Sequence, residues 1–370
     1  MISTRGAILR SPELDWEITD IEFEDPQQGE LLIKMTASGM CHSDDHLKTG
    51  DLPSGIYPII GGHEGAGVVE AVGPNTPGWD IGDHVVTSFI PGCGRCRWCA
   101  SGQQNLCDLG ATLLLGSRAD GTLRATVDGE PAGQMCGIST FAERSVVAVE
   151  SAIKVASDIP LDKACLVGCG VGTGWGSAVN SAEVKPGQTV LVLGTGGIGI
   201  NAIQGASHAG ASNVIAVDTV EMKREVAEQL GATHSFADMA SATEFAQSVT
   251  NGQGADSVIV CTGVLTSEHV AEAFAATRKA GTVVVTGLGN LVDSKVEVSA
   301  AELTLSQKRL QGSLFGASNP SRDIPWLLDM YQAGQLKLDE LVTKTYSLDQ
   351  VNEGYADMHA GKNIRGVIIY

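Results

Sequence analysis

The sequence predicts an α/β protein in which an irregular, mostly β domain is joined to a doubly wound parallel sheet. Three observations predict it: short β-rich runs broken by Gly, Pro and Asp up to about residue 150; apolar runs alternating with helical stretches from residue 189 onward; and a Gly-rich turn that leads out of the first of those runs. A chain of 370 residues that is 43% hydrophobic has material for two or three domains.

In chain order, residues 30–35, 66–71 and 84–88 read as strands of the first part. The runs 189–193, 213–217, 257–260 and 282–285 are separated by helical stretches, the rhythm of a parallel sheet with crossover helices. After Gly312 the rhythm stops. A Pro-containing link, a helical stretch at 323–332 and a last strand at 366–369 follow, a tail expected to return to the first domain. The expected division is therefore 1–170, 171–314 and 315–370. No internal repeat or low-complexity segment interrupts it, and 46 glycines imply many tight turns.

Charge narrows the function. Lys and Arg number 24 against 43 Asp and Glu, and the net charge of -19 repels phosphate backbones and anionic lipid, which argues against nucleic-acid and membrane partners. The first sixteen residues lack the apolar core of a secretory signal and no run is long enough to span a bilayer, so a cytoplasmic protein is expected. In such a chain, clustered cysteines point to metal or catalysis rather than to a disulfide framework.

Cys93, Cys96, Cys99 and Cys107 form a C-x2-C-x2-C-x7-C run whose short spacings let four thiolates converge on one ion. Zinc suits them, since a closed four-sulfur shell is structural and leaves no position for chemistry. Free or disulfide-linked cysteines and an iron–sulfur cluster are the weaker readings. Arg95 and Arg97 stand between the ligands, where they could offset the thiolate charge.

Cys41, His63 and Cys169 lie far apart in the chain, each in a Gly-rich setting. Two thiolates and one imidazole leave a fourth position open for water or a substrate oxygen, the arrangement of a catalytic rather than a structural zinc. Singly, each has a plainer reading as an inert buried Cys or a hydrogen-bonded structural His. Glu64, beside His63, reads either as an alternative ligand or as a structural acid. Asp44 reads either as the acceptor of the second ring N–H of His63 or as a turn former.

The run 189–193 passes directly into Gly194-Thr195-Gly196-Gly197-Ile198-Gly199 and then a helix-compatible stretch, with Asp218 closing the next apolar run. That context makes the fingerprint that of a Rossmann dinucleotide-binding unit. Gly194 serves the tight turn, Gly196 the approach of the pyrophosphate and Gly199 close packing of helix on strand, with Gly197 and Ile198 between them. Asp218 would accept bonds from the ribose hydroxyls of NAD and repel the extra phosphate of NADP. Lys223 would flank the adenosine ribose or simply solvate the surface.

With these residues placed, the chain resembles the zinc-dependent medium-chain alcohol dehydrogenases along nearly its whole length. The residues that carry the resemblance are Gly62-His63-Glu64 with Gly67 and Gly73, the four-cysteine lobe, the run from Gly168 to Gly174, the Gly-rich turn with Asp218, and Ile364-Arg365. It implies a GroES-like catalytic domain completed by the C-terminal tail, a Rossmann domain between, and an active cleft where they meet. It implies two Zn2+ per chain, a catalytic one on Cys41, His63 and Cys169 and a structural one on the other four cysteines.

By the same resemblance Ser43 accepts the alcohol proton and His46 is the outer member of the relay. His42 stands where many relatives place an arginine against the pyrophosphate, Arg365 is a second pyrophosphate contact, and Thr173 lies beside the nicotinamide. Leu52 and Phe89 match pocket walls, implying an apolar pocket for alcohols larger than ethanol. The run 108–138 is expected as an insertion beside the cysteine lobe.

The resemblance also extends to glutathione-dependent formaldehyde dehydrogenase, which acts on a thiol adduct, although Leu52 replaces the acidic residue usual there. More loosely, the whole chain resembles actinobacterial nicotinoprotein alcohol dehydrogenases, which keep NAD(H) bound and pass electrons to an external redox acceptor. A homo-oligomer is implied. Cys136, Cys165 and Cys261 have no assigned task and read as buried thiols.

Overall fold

The computed structural model describes residues 1–291 and 295–370. The chain divides into two compact units, one of residues 1–169 with 319–370 and one of residues 170–318.

The first unit is β-rich. A closed barrel runs through strands Ile2–Leu9, Glu17–Phe23, Ala125–Val127, Glu130–Gln134 and Ile59–Ile60. A second sheet is centred on Glu30–Gly39, which pairs antiparallel with Glu64–Val72, Arg144–Ala148 and Arg365–Ile369. That central strand is buried along most of its length, because its Leu, Ile, Met and Ala side chains are covered on both faces. The C-terminal tail thus ends inside this sheet.

Residues 108–138 correct one expectation. Only the part up to 124 lies outside the barrel, because Ala125–Val127 and Glu130–Gln134 form a hairpin in its wall. Asp128 and Gly129, both at positive φ, make the turn, and an Asp-Gly pair is a strong hairpin signal. The outer part is fastened by Arg118 and Arg124, which both meet the buried carboxylate of Glu30, at 3.2 and 3.0 Å.

The second unit is a six-stranded parallel sheet in the order His234–Phe236, Asn213–Val217, Thr189–Leu193, Ala255–Val260, Thr277–Val285, Arg309–Gly312. Thr189–Leu193 is buried at every position, as a central strand covered on both faces must be. The order reverses between it and Ala255–Val260, so the crevice for a ligand lies at the carboxyl ends of these two strands. Among the described residues no helix is long and apolar enough to cross a membrane.

Candidate active site and metal centres

Strand register assembles the first cluster. Gly39 and Glu64 are Cα partners across the pair Glu30–Gly39 and Glu64–Val72, so Cys41, just beyond one strand, and His63, just before the other, emerge at the same end of the sheet. Cys169 arrives after the turn Cys165–Gly168. That turn presses so closely on the sheet that a Cβ at Gly168 would stand 2.3 Å from the Thr87 carbonyl oxygen, which only glycine tolerates.

The candidate ligand atoms of Cys41, His63, Glu64 and Cys169 all lie within 4.8 Å of one another, and all four residues are buried. His63 Nδ1 lies 3.1 Å from Asp44 Oδ2, while Asp44 Oδ1 accepts the Gly62 N–H at 2.9 Å. Both ring nitrogens of His63 are enclosed without a hydrogen bond of good geometry, Nδ1 facing Asp44 and Nε2 turned away from it. A buried nitrogen held by its neighbour and otherwise unsatisfied is what a metal ligand requires.

Electrostatics agree with the geometry. Contact with Cys169, and then the charge of His63, holds the Cys41 thiol well below its ordinary pKa, whereas the same contact and burial push Cys169 well up. Burial opposes a charge on His63, but Asp44 and Cys41 outweigh it and raise its pKa well above the ordinary value. Negative charge concentrated enough to do that is charge a divalent cation neutralises.

Glu64 has a partner that sequence reasoning did not supply. Its carboxylate forms a buried ion pair with Arg365, whose guanidinium also donates to the Met40 carbonyl oxygen at 3.2 Å. Arg365, which the resemblance makes a pyrophosphate contact, is 4% exposed. The pairing spans 301 residues and leaves no periodic trace in the sequence.

Ser43 and His46 lie on the helix His42–Thr49, three residues apart and so on one face. Ser43 Oγ is 3.7 Å from Cys41 Sγ. His46 is buried, with Nδ1 3.5 Å from Asp51 Oδ2, and the exposed His42 ring lies 6.4 Å from it, centroid to centroid. Phe89 presents its edge to His63 at 5.9 Å, and Leu52 is buried with its N–H on the His46 carbonyl oxygen at 3.0 Å.

In the cysteine lobe, the ligand atoms of Cys93, Cys96, Cys99 and Cys107 also lie within 4.8 Å of one another. Cys93 and Cys99 sulfurs are 3.8 Å apart and those of Cys96 and Cys107 4.0 Å. Disulfide sulfurs stand at about 2.0 Å, whereas ligands about 2.3 Å from one tetrahedral zinc stand about 3.8 Å apart. The spacing fits the ion and not the bridge. Backbone N–H groups point at the sulfurs, and the one from Cys99 is the largest influence taking the Cys96 thiol down to about 6, while burial pushes Cys99 up to about 12. Arg97 lies over the Trp98 ring at 5.2 Å.

In the second unit, Gly194 has φ +85°, and a Cβ at Gly199 would lie 1.8 Å from the Gly194 carbonyl oxygen, so the helix Gly199–His208 packs directly on the strand end. A Cβ at Gly196 would meet nothing within 4 Å, leaving that backbone open to a ligand. Gly197 and Ile198 complete the turn between them. Asp218 is fixed in place: Oδ2 accepts from the Thr195 N–H at 2.9 Å and Oδ1 from the Val220 N–H at 2.9 Å. Lys223 is half-buried on the helix Glu221–Gln229 and Thr173 is buried on the helix Gly170–Gly176.

Comparison with known proteins places this architecture. Residues 27–157 match the alcohol dehydrogenase GroES-like domain and residues 197–333 the zinc-binding dehydrogenase domain. An NDMA-dependent alcohol dehydrogenase from Amycolatopsis methanolica is 52% identical over 369 residues, covering 100% of this chain and 99% of that one. The chain is a zinc-dependent medium-chain alcohol dehydrogenase.

Alcohol dehydrogenase B of Mycobacterium tuberculosis is 48% identical to this dehydrogenase over 370 residues, with 100% and 99% coverage. The solved alcohol dehydrogenase zinc-binding domain protein from Burkholderia ambifaria is 32% identical, with a TM-score of 0.92 over 100% of this chain and 99% of that chain. S-(hydroxymethyl)glutathione dehydrogenase of Paracoccus denitrificans is more distant, at 36% identity with 99% and 100% coverage. The dehydrogenase is therefore an oxidoreductase interconverting alcohols and aldehydes, and its cofactors are zinc and a nicotinamide dinucleotide.

Proposed function

We propose that this dehydrogenase oxidises alcohols larger than ethanol with a resident NAD(H) that is recycled by an external redox acceptor, and that it uses two zinc ions per chain. The observation that carries the zinc reading is the enclosed Cys41, His63 and Cys169 cluster, with its unsatisfied imidazole nitrogen. Zinc bound there supplies a Lewis acid that makes an alcohol hydroxyl acidic near neutral pH, and a nicotinamide ring supplies the hydride acceptor.

The chain's own residues do the rest. Ser43 takes the hydroxyl proton and passes it toward His46 along one helix face. Asp44 holds the His63 ring in place, and Arg365 holds Glu64 within the cluster. Phe89 and Leu52 give the pocket apolar walls, and a buried leucine at residue 52 offers a charged thiol adduct nothing to hold. Asp218, pinned by two backbone N–H groups, is preorganised for ribose hydroxyls and favours NAD over NADP. Gly194, Gly196, Gly197, Ile198 and Gly199 receive the pyrophosphate, with His42 and Lys223 as further cofactor contacts and Thr173 beside the nicotinamide.

The resident cofactor is supported by the 52% identity to an NDMA-dependent relative over the full chain. Protein dialysed extensively and then denatured should release close to one NAD or NADH per chain, and alcohol oxidation should proceed with an artificial acceptor and no added NAD. Empty protein that turns over only with added NAD would reduce the reading to an ordinary NAD-coupled dehydrogenase. We also propose a homo-oligomer, supported by the exposed apolar edge at Leu305, Leu310 and Leu314, and a cytoplasmic location.

A further inference from the structure

The second unit contains a set of side chains that neither the zinc chemistry nor the fingerprint uses. The segment 313–318, directly after the last strand of the parallel sheet, is fastened to residues 172–181 by side-chain hydrogen bonds. Ser313 Oγ is 3.0 Å from Ser177 Oγ and 2.8 Å from Ser181 Oγ. Asn180 Nδ2 donates to the Gly316 carbonyl oxygen at 3.1 Å, and Ser318 Oγ donates to that of Gly172 at 3.3 Å. Ser177 Oγ also meets Thr286 Oγ1 at 2.9 Å and donates to the Thr173 carbonyl oxygen at 2.7 Å.

What these bonds hold is strained backbone. Phe315, Gly316 and Ala317 have φ of 52, 63 and 50°, three consecutive left-handed residues of which two carry side chains. Such conformations cost energy and persist where the surroundings enforce them, typically at ligand sites. The partner segment Ser177–Ser181 is a turn of π-helix, a distortion that also collects at functional sites. Close packing adds to the enforcement, since a Cβ at Gly176 would stand 2.2 Å from the Gly316 carbonyl oxygen.

The location says which ligand. Gly194, Asp218, Thr286 and Ser313 each follow the carboxyl end of a parallel strand, along the rim where a dinucleotide lies. With the adenosine ribose at Asp218 and the pyrophosphate at Gly194, the rest of an extended dinucleotide crosses the switch point toward Thr286 and the segment 313–318. There the Thr173 hydroxyl is buried without a hydrogen-bond partner, a polar group aimed at something other than protein.

We infer that Ser177, Asn180, Ser181 and Ser313 are positioning residues that keep the nicotinamide half of the cofactor site preformed and thereby slow cofactor release. A rim already held in its strained shape spends no ordering entropy on binding and does not relax to let the ligand go. The inference rests on reading this crevice as the nicotinamide cofactor site. It does not require the cofactor to be permanently bound.

The test uses the whole zinc-loaded protein and its Ser313→Ala and Ser181→Ala variants, with NADH dissociation followed by fluorescence on displacement, and with AMP affinity measured separately. Ser313→Ala removes two bonds and is expected to speed NADH release about tenfold, equivalent to about 1.4 kcal/mol. Ser181→Ala removes one bond at a half-exposed residue and should speed release by a smaller factor, which keeps the test informative if Ser313→Ala does not fold. AMP, which reaches only the Asp218 half, should bind all variants alike. Unchanged release in the folded variants, or AMP weakened as much as NADH, would overturn the inference. If the parent exchanges NADH freely while the ratio of variant to parent release still rises, the resident-cofactor reading fails and this one stands.

Discussion

Asp44 and Glu64 are both carboxylates enclosed beside the Cys41, His63 and Cys169 cluster, yet their partners set them different tasks. Asp44 faces His63 Nδ1 and the Gly62 N–H, so it is placed to orient the imidazole of the proposed metal site; Glu64 is bound to Arg365, which faces its charge. Ser43 lies beside Cys41, its Oγ 3.7 Å from the sulfur. These differences separate metal holding from proton handling. Asp44→Ala should weaken zinc roughly 10- to 100-fold in chelator competition, the usual cost of losing a partner behind a metal-bound histidine. Ser43→Ala should keep its zinc and lower turnover by about 10²- to 10⁴-fold, the range for a lost proton-transfer group. Zinc loss in Ser43→Ala equal to that in Asp44→Ala would merge the two roles.

At the scale of elements, the cysteine lobe is the clearest case of structure that its side chains alone do not hold. Its regular pieces are the four-residue helix Arg97–Ala100 and two short 3-10 turns, Gln104–Leu106 and Asp108–Thr112, too little to bury a core. On the proposed reading, much of its order comes from the sulfurs and the ion they bind. With the proposed two zinc ions per chain, Cys93→Ala is expected to lose one of them by elemental analysis and to open residues 93–107 to proteolysis, while NADH binding in the second unit is retained. Loss of both ions together would mean that the lobe is not an independent site. This lobe was legible in the sequence because its ligands sit within fifteen residues. The Rossmann turn was legible because strand, glycines and Asp218 follow one another. The Glu64–Arg365 pair and the Glu30 contacts of Arg118 and Arg124 were not, since ion pairs between distant residues follow no period. The barrel hairpin around Asp128 and Gly129 did carry a signal, but the surrounding run was assigned by its length instead of its turn.

The returning tail makes a second prediction at this scale. Asp357, on the helix Val351–His359, accepts from Lys344 and at 3.0 Å from the Tyr346 hydroxyl on the strand Val342–Tyr346, with Lys362 at 3.2 Å. The bond from Lys344, then those from Lys362 and Tyr346, take its pKa down to about 2. A carboxyl whose pKa is lower in the folded state stabilises above its unfolded value, near 3.9, and loses that contribution as pH falls through the folded one. Asp357→Asn should therefore lower the urea midpoint at pH 6, and the gap between variant and parent should narrow as pH falls from about 4 toward 2. A gap independent of pH would assign the effect to packing.

For the whole molecule, charge and apolar surface pull in opposite directions. A net charge of -19 makes each copy repel the next. The second unit nonetheless ends its sheet on Arg309–Gly312, a strand exposed at every residue and, among the described residues, paired on one side only, with Leu305 84% exposed and Leu310 and Leu314 close by in sequence and also exposed. An edge that is both apolar and open in its hydrogen-bonding groups is a template for a second chain, and a protein this acidic keeps such an edge from indiscriminate association through long-range repulsion. If two copies join there, salt should favour assembly by screening the repulsion, with a Debye length falling from about 10 Å at 0.1 M to about 3 Å at 1 M. Leu310→Asp would add charge at the edge itself and should shift the mass measured by light scattering toward the monomer, most strongly at low salt. A variant that keeps the parental mass at every ionic strength would show that the edge is covered by something other than another copy of this chain.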